Sequence, residues 1–247
     1  MKTGLAFLFV LLVANCGFSQ DWKASSVEEV KQVLTNCAKH YRAENYALSF
    51  EQTTYKDAAN PTAEVIKTSG LLLRGKGKQY RSEQQGKLII QTNDIKMIVD
   101  TSQQVVGIIQ PDTLFDVIQM DQLLGNYGWT GMTCLSRTSG STTTFQLSGP
   151  GLAIYQSMEL TIDQKTGFLT DMVLYFVPQN YFSESTDDET QEHPKIVIHY
   201  SGTKKLTTEQ QRMFDLSFWL TKDHDTYQLI ASKASFTLQD YRYHEQH

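Results

Sequence analysis

The sequence predicts a mainly β protein with a small helical complement: a strongly curved antiparallel sheet with amphipathic helices lying in its concave side. Three observations predict it. After one clear amphipathic helix, the spacing of apolar residues changes from helical to alternating. The alternating runs are short and are joined by polar turns such as Gly75-Lys76-Gly77 and Gln85-Gly86, as in an antiparallel meander. A sheet with an apolar face also needs a cover, and the chain supplies two helical segments that can serve.

The first helix is read from "SSVEEVKQVLTNCAKHYRAE". Ser25 or Ser26 can cap it, with Glu28 or Glu29 three positions on. Val27, Val30, Val33, Leu34, Cys37, Ala38 and Tyr41 recur at helical spacing and make one apolar face. Strands follow at 46–55 and 63–74, then at "KQYRSEQ", "KLIIQT", "IKMIVD" and "VVGIIQ". Pro111-Asp112-Thr113 breaks the sheet and starts a second helix ending at Gly125, apolar around much of its circumference. Strands resume at "WTGMTCLSR", "STTTFQLSG", "AIYQSMELTID" and "FLTDMVLYFVP", the last two joined by a compact loop at Asp163–Gly167. After the acidic loop "SESTDDETQEH" come a strand at "KIVIHYSGTKK", a short helical stretch at "TTEQQRM" and strands at "DLSFWLT", "YQLIAS" and "SFTLQDYRY". No internal repeat and no long linker divides the chain, so residues 20–247 read as one domain.

Residues 1–19 read as a secretory signal peptide: Lys2, an apolar run from Gly4 to Ala14 too short to span a bilayer, and small residues at its end. Cleavage after Ser19 puts Gly17 and Ser19 at the −3 and −1 positions. Val13-Ala14-Asn15-Cys16 also resembles a bacterial lipobox, but Asn15 stands where a small residue is usual. The expectation is therefore an exported, periplasmic protein, with a lipid anchor through Cys16 as the alternative.

Composition narrows the class further. At 40% hydrophobic and 20% charged residues the 247-residue chain can bury a large core. A net charge of −5 gives no footprint for nucleic acid or an anionic membrane. Cys37 and Cys134 remain once Cys16 leaves, and two separately buried thiols are expected over a disulfide.

The order of elements resembles the LolA/LolB lipoprotein-localisation family over most of the chain up to about residue 202. The segments that carry it are the first helix with "YALSFEQTTY", the hairpin "SGLLLRGKGKQYRSE", then "LIIQTNDIKMIVDTSQQV" and "SMELTIDQKTGFLTDMVLYF". Where the family often has Arg-Pro at the first hairpin turn, this chain has Lys76-Gly77. Where the family has aromatics in the next strand, it has Met97, Ile98, Val99 and Asp100. Residues 203–247 extend past the resemblance. The family resemblance implies an unclosed β-barrel with helices in its mouth, and a periplasmic protein that binds acyl chains of lipids or lipoproteins during outer-membrane lipoprotein sorting. Lys76 and Arg81 are the basic residues of the matching hairpin.

Chemistry-bearing motifs are few. Ser201-x-x-Lys204 and Lys165-Thr166-Gly167 mimic penicillin-recognising enzymes, but in reversed order and with the second in a turn. The histidines at 40, 193, 199, 224, 244 and 247 lack metal-ligand spacing. Asp187, Asp188, Glu189 and Glu192 read as a solvated loop more readily than as a calcium site. No cofactor and no catalytic residue is expected. If the sheet curls around its helices, the candidates for an apolar cavity are Phe50, Leu72, Ile90, Met97, Ile118 and Leu124. The same residues can instead pack solid, and periodicity does not separate the two. The functional expectation is a monomeric, non-catalytic binder of acyl chains, with an envelope protein as a further partner. The alternative is a structural or scaffolding protein of the cell envelope acting through its surface. The intact mass of the exported protein should begin at Gln20; an acylated Cys16 would replace that reading with the anchored one.

Overall fold

The computed structural model describes residues 21–42, 45–58, 64–112, 128–152, 154–177, 179–180, 191–203 and 205–242. Residues 1–19 with the expected signal peptide, the second expected helix with Ile118 and Leu124, the cluster at 187–189 and Lys204 lie outside the described residues. In chain order the elements are β1 (Lys23–Ala24), α1 (Val27–Arg42), β2 (Tyr46–Tyr55), β3 (Glu64–Arg74), β4 (Tyr80–Gln84), β5 (Lys87–Gln91), β6 (Lys96–Asp100) and β7 (Val105–Ile109). Next are β8 (Thr133–Ser139), β9 (Thr142–Ser148), β10 (Tyr155–Asp163), β11 (Leu169–Phe176), β12 (Gln179–Asn180), β13 (Gln191–Glu192) and β14 (Lys195–Thr203). The chain ends with α2 (Thr208–Arg212), β15 (Leu220–Asp223), β16 (Thr226–Leu229) and β17 (Thr237–Asp240).

Among the described residues thirteen strands form one open sheet in the order β1-β8-β9-β10-β11-β14-β2-β3-β4-β5-β6-β7-β17. It does not close into a barrel there, since β1 and β17 stand at its two ends. β17 pairs parallel to β7 and the other pairings are antiparallel. The long strands match the sequence expectation, but β8 starts at Thr133 after a turn, and the run expected as a strand at "DLSFWLT" is a 3-10 turn at Leu216–Phe218 with β15 starting at Leu220.

Alternation of side chains divides the sheet into two faces. On the first, Leu48 pairs across to Leu72, Tyr200 to Phe50, and Met172 to Ile198. This face carries α1. Val30, Leu34, Cys37 and Tyr41 of the helix pack with Leu48, Leu72, Phe145, Leu147, Met158 and Leu160, all of them buried. The helix starts at Ser26, whose hydroxyl accepts from the Glu29 N–H at 3.1 Å. Ser25 is drawn instead to Ser136, hydroxyl to hydroxyl at 2.6 Å. At the other end Tyr41 accepts the Leu169 N–H on its phenolic oxygen at 3.0 Å, between the rings of Tyr46 and Phe168. His40 lies over Gly167, where an added Cβ would stand 2.2 Å from the ring and φ is +75°. Helix and β10–β11 turn therefore fix each other.

On the second face Leu73 faces Arg81, Arg81 faces Ile90, Ile90 faces Met97 and Met97 faces Ile108. The C-terminal extension covers it. Leu216, Trp219, Leu220, Tyr227, Leu229, Phe236 and Leu238 pack with Leu88, Ile90, Met97, Val99, Val106 and Ile108. Leu206, Met213 and Phe214 pack with Ala47, Leu71 and Leu73. A capping box at Thr207 and Gln210 starts α2, as the polar run there suggested. The Arg81 guanidinium donates to the Met213 carbonyl and to Glu83, tying the extension to β4.

Of the two expected helices, α1 lies on the first face of the sheet. The second expected helix lies outside the described residues; Asp112, the last described residue before it, is held by the buried amide of Gln91. Gln91 donates to the Lys78 and Asp112 carbonyls and accepts the Asp112 N–H, and Asp112 also pairs with Lys96. Tyr41→Phe should take the phenolic acceptor from the buried Leu169 N–H, leaving it the weaker Cys37 sulfur, and cost about 1 kcal/mol of stability in urea unfolding with an unchanged m-value.

Candidate functional site

The face beneath α1 is packed solid along the helix axis: Val30 and Tyr41 are as buried as the strand residues they touch. Space remains at its flank. Between α1 and strands β8–β10 runs a half-open groove of about 360 Å³. Its floor is Val33, Cys37, Phe145 and Ile162; its rim includes Glu29, Asn36, His40, Ser136 and Gly167.

Val33 is half-buried at the margin of the helix's apolar stripe, beside the buried Val30, Leu34, Cys37 and Tyr41, and the groove opens along that margin. The opposite wall is polar, but its groups satisfy one another. Thr138 and Thr143 share a hydrogen bond of 3.2 Å, and the Gln164 amide donates to Thr143. A wall that needs no partner over an apolar floor suits an apolar chain more than a hydrogen-bonding ligand.

Burial pushes the Cys37 thiol up to about 11 against a weaker opposing hydrogen bond with the Leu169 backbone. Burial also raises Cys134, with Glu28 adding to it. Both thiols are free and buried, as the sequence reading expected. Neither has the character of a nucleophile, which is the thiolate.

The structure divides the sequence-derived cavity set. Leu72 is in the solid core under α1. Phe50 is half-buried on the same face, its ring 6.4 Å from Tyr200 and lying where a Gly70 side chain would be. Ile90 and Met97 are on the other face, under the extension, so the expectation that they line one cavity with Phe50 and Leu72 is corrected by the register. Lys76 is exposed at its turn, while Arg81 is taken up by Glu83 and Met213.

The chain reading missed the cross-strand pair of His199 Nδ1 and Asp171 Oδ1, 2.6 Å apart on the face away from α1. Their partnership depends on strand register, for which the sequence holds no local signal. His199 also lines a wider groove of about 650 Å³ on that face with Ser49, Glu51, Ser69, Glu83 and Ser201. No group of three possible metal ligands occurs among the described residues. The penicillin-enzyme motif falls apart: Lys165–Gly167 is in the β10–β11 turn at α1, whereas Ser201 pairs with Ser49 in β14 and β2.

No family model matches the chain, and no curated protein matches it. Solved structures are similar to it. One is a LolA superfamily protein from Nitrosomonas europaea, at 13% identity and a TM-score of 0.30, covering 76% of this chain and 98% of that one. Another is a DUF1329 family protein from Desulfovibrio piger, at 13% identity and 0.32, with the same coverage. A third is a domain of Vibrio parahaemolyticus described as an outer-membrane lipoprotein-sorting protein, at 7% identity and 0.28, covering 74% and 96%. Likeness at such scores carries no argument about this chain's function, which rests on its own geometry.

With Cys37 protonated and both thiols enclosed, neither should react with a thiol reagent at pH 8 in the native state, and both should on unfolding. Labelling of native protein within minutes, or a mass that changes on reduction, would contradict the burial seen here.

Proposed function

We propose that this is an exported, non-catalytic lipid- or lipoprotein-binding protein of the periplasm that takes a single acyl chain into the groove between α1 and β8–β10. The supporting observation is the apolar floor of Val33, Cys37, Phe145 and Ile162 beside a self-satisfied polar wall. Burial of a chain contributes roughly 0.8 kcal/mol per CH₂. One chain then gives weak, reversible binding, which suits a carrier that must also release its cargo. The likeness to LolA-superfamily and lipoprotein-sorting proteins agrees with this reading without carrying it. Among the described residues no helix is long and apolar enough to cross a membrane.

A second reading has its own observation. The solid core beneath α1 is what a structural or scaffolding component of the envelope would have, working through its surface and an envelope protein partner. The groove separates the two. Val33→Trp should fill it while keeping the helix, and should weaken binding of an acylated peptide about tenfold by calorimetry. Unfolding of the variant should be unchanged within about 1 kcal/mol. Equal binding by the variant, or none by the parent protein, would leave the scaffolding reading standing.

A further inference from the structure

The C-terminal extension does more than cover the second face. Where α2 and the turn after it cross β4 and β5, they leave a groove of about 350 Å³ lined by Ile90, Met213, Phe218 and Trp219, with Arg81 and Arg212 among its polar residues. We propose that this groove is a second binding site, for a single-chain amphiphile with an anionic head, such as a long-chain carboxylate.

The lining fits that chemistry at both ends. Ile90 is fully buried and is the floor, and Met213 and Trp219 are half-buried walls. Phe218, at the mouth, is 60% exposed, an aromatic ring left in water that a tail would cover. The volume is at the low end for a small-molecule pocket, which favours one chain over a two-chain phospholipid.

The head is addressed by cations. Arg212 sits exposed at the end of α2, and its guanidinium forms no hydrogen bond or ion pair among the described residues. It is the free donor at the rim. Arg81 holds a second guanidinium at the inner end, two of its nitrogens spent on Met213 and Glu83 and its buried Nε–H without an acceptor. Guanidinium groups pair with carboxylates through parallel hydrogen bonds, more strongly than a neutral hydroxyl can.

Two carboxylates also line the groove. Asp215 is engaged by the Ser217 N–H at 2.8 Å, capping the turn that follows. Glu209 belongs to the first turn of α2, the end that suits negative charge. Both keep their negative charge, held toward helix or turn N-termini, so the anionic head is placed against Arg212 and away from them.

This site lies on the face opposite α1 and stands independently of the reading given to the first groove. Bromine quenches tryptophan at contact, so 12-bromododecanoate added to the full chain at pH 8 should quench the fluorescence saturably. In a Trp22→Phe, Trp129→Phe background, which removes the tryptophans near α1 and β8, the quench should persist, because Trp219 is then the only tryptophan. Arg212→Glu should weaken it about tenfold, and 12-bromododecanol should bind about tenfold more weakly than the acid and ignore the Arg212 change. Equal binding of acid and alcohol, or loss of the quench in that background, overturns the assignment. So does the absence of any quench.

Discussion

The constraint on which the structure depends is that one long sheet is apolar on both faces and must be covered on both. Along β3 and β5 to β7, neighbouring residues in a strand send their side chains to opposite faces, and both sets are largely apolar. Leu72 and Ile89 face the α1 side; Leu73, Ile90 and Met97 face the other. An isolated sheet of this kind would expose one apolar layer to water. α1 covers one face at its β8–β11 end, and the extension covers the other at its β3–β7 end. Each cover needs an anchor, and the anchors differ in kind. α1 is fixed by a buried phenol on a backbone amide and by a ring over a glycine. The extension is held by a guanidinium on a carbonyl and by packing.

That arrangement explains where space is left. A cover that matches its face leaves none, as along the axis of α1. Grooves appear at the margins, where the apolar stripe of a cover ends before the apolar area of the sheet does. Val33 marks such a margin on one face, and Phe218 on the other. Both proposed sites are therefore consequences of imperfect coverage. Both are half-open and bounded on one side by a covering element.

Much of this was legible in the chain. The strands, the turns, α1 with its cap and the short α2 follow from periodicity and turn chemistry. The phase of the alternation did not follow. In "SGLLLRGKG" three leucines stand in a row, and nothing local says whether Leu72 or Leu73 meets α1. A one-residue change of phase moves every later side chain to the other face. Ile90 and Met97 were assigned to the wrong face for that reason. The continuous runs "LLL", "LII" and "MIV" did hold a signal, since a strand buried on both faces reads as an unbroken apolar stretch and not as alternation. That signal called for a second cover, and among the described residues the apolar side chains after 203 provide it.

The path of the extension follows from the same requirement. β14, which ends at Thr203, is in the middle of the sheet, and β17 joins its far edge beside β7. Between them the chain must cross β2 to β7, a distance of about 34 Å at the usual strand spacing. It could cross by running straight over the sheet in far fewer residues than it uses. It spends the surplus on α2, the β15–β16 hairpin and the turns between, and each sets an apolar residue over a strand it passes: Phe214 near Leu73, and Leu220 in the cluster with Ile90 and Met97. Having crossed, it runs alongside β7 in the same direction, which is why this one pairing is parallel in an otherwise antiparallel sheet. The parallel strand is the end of a crossover, and the crossover exists because the second face had to be covered.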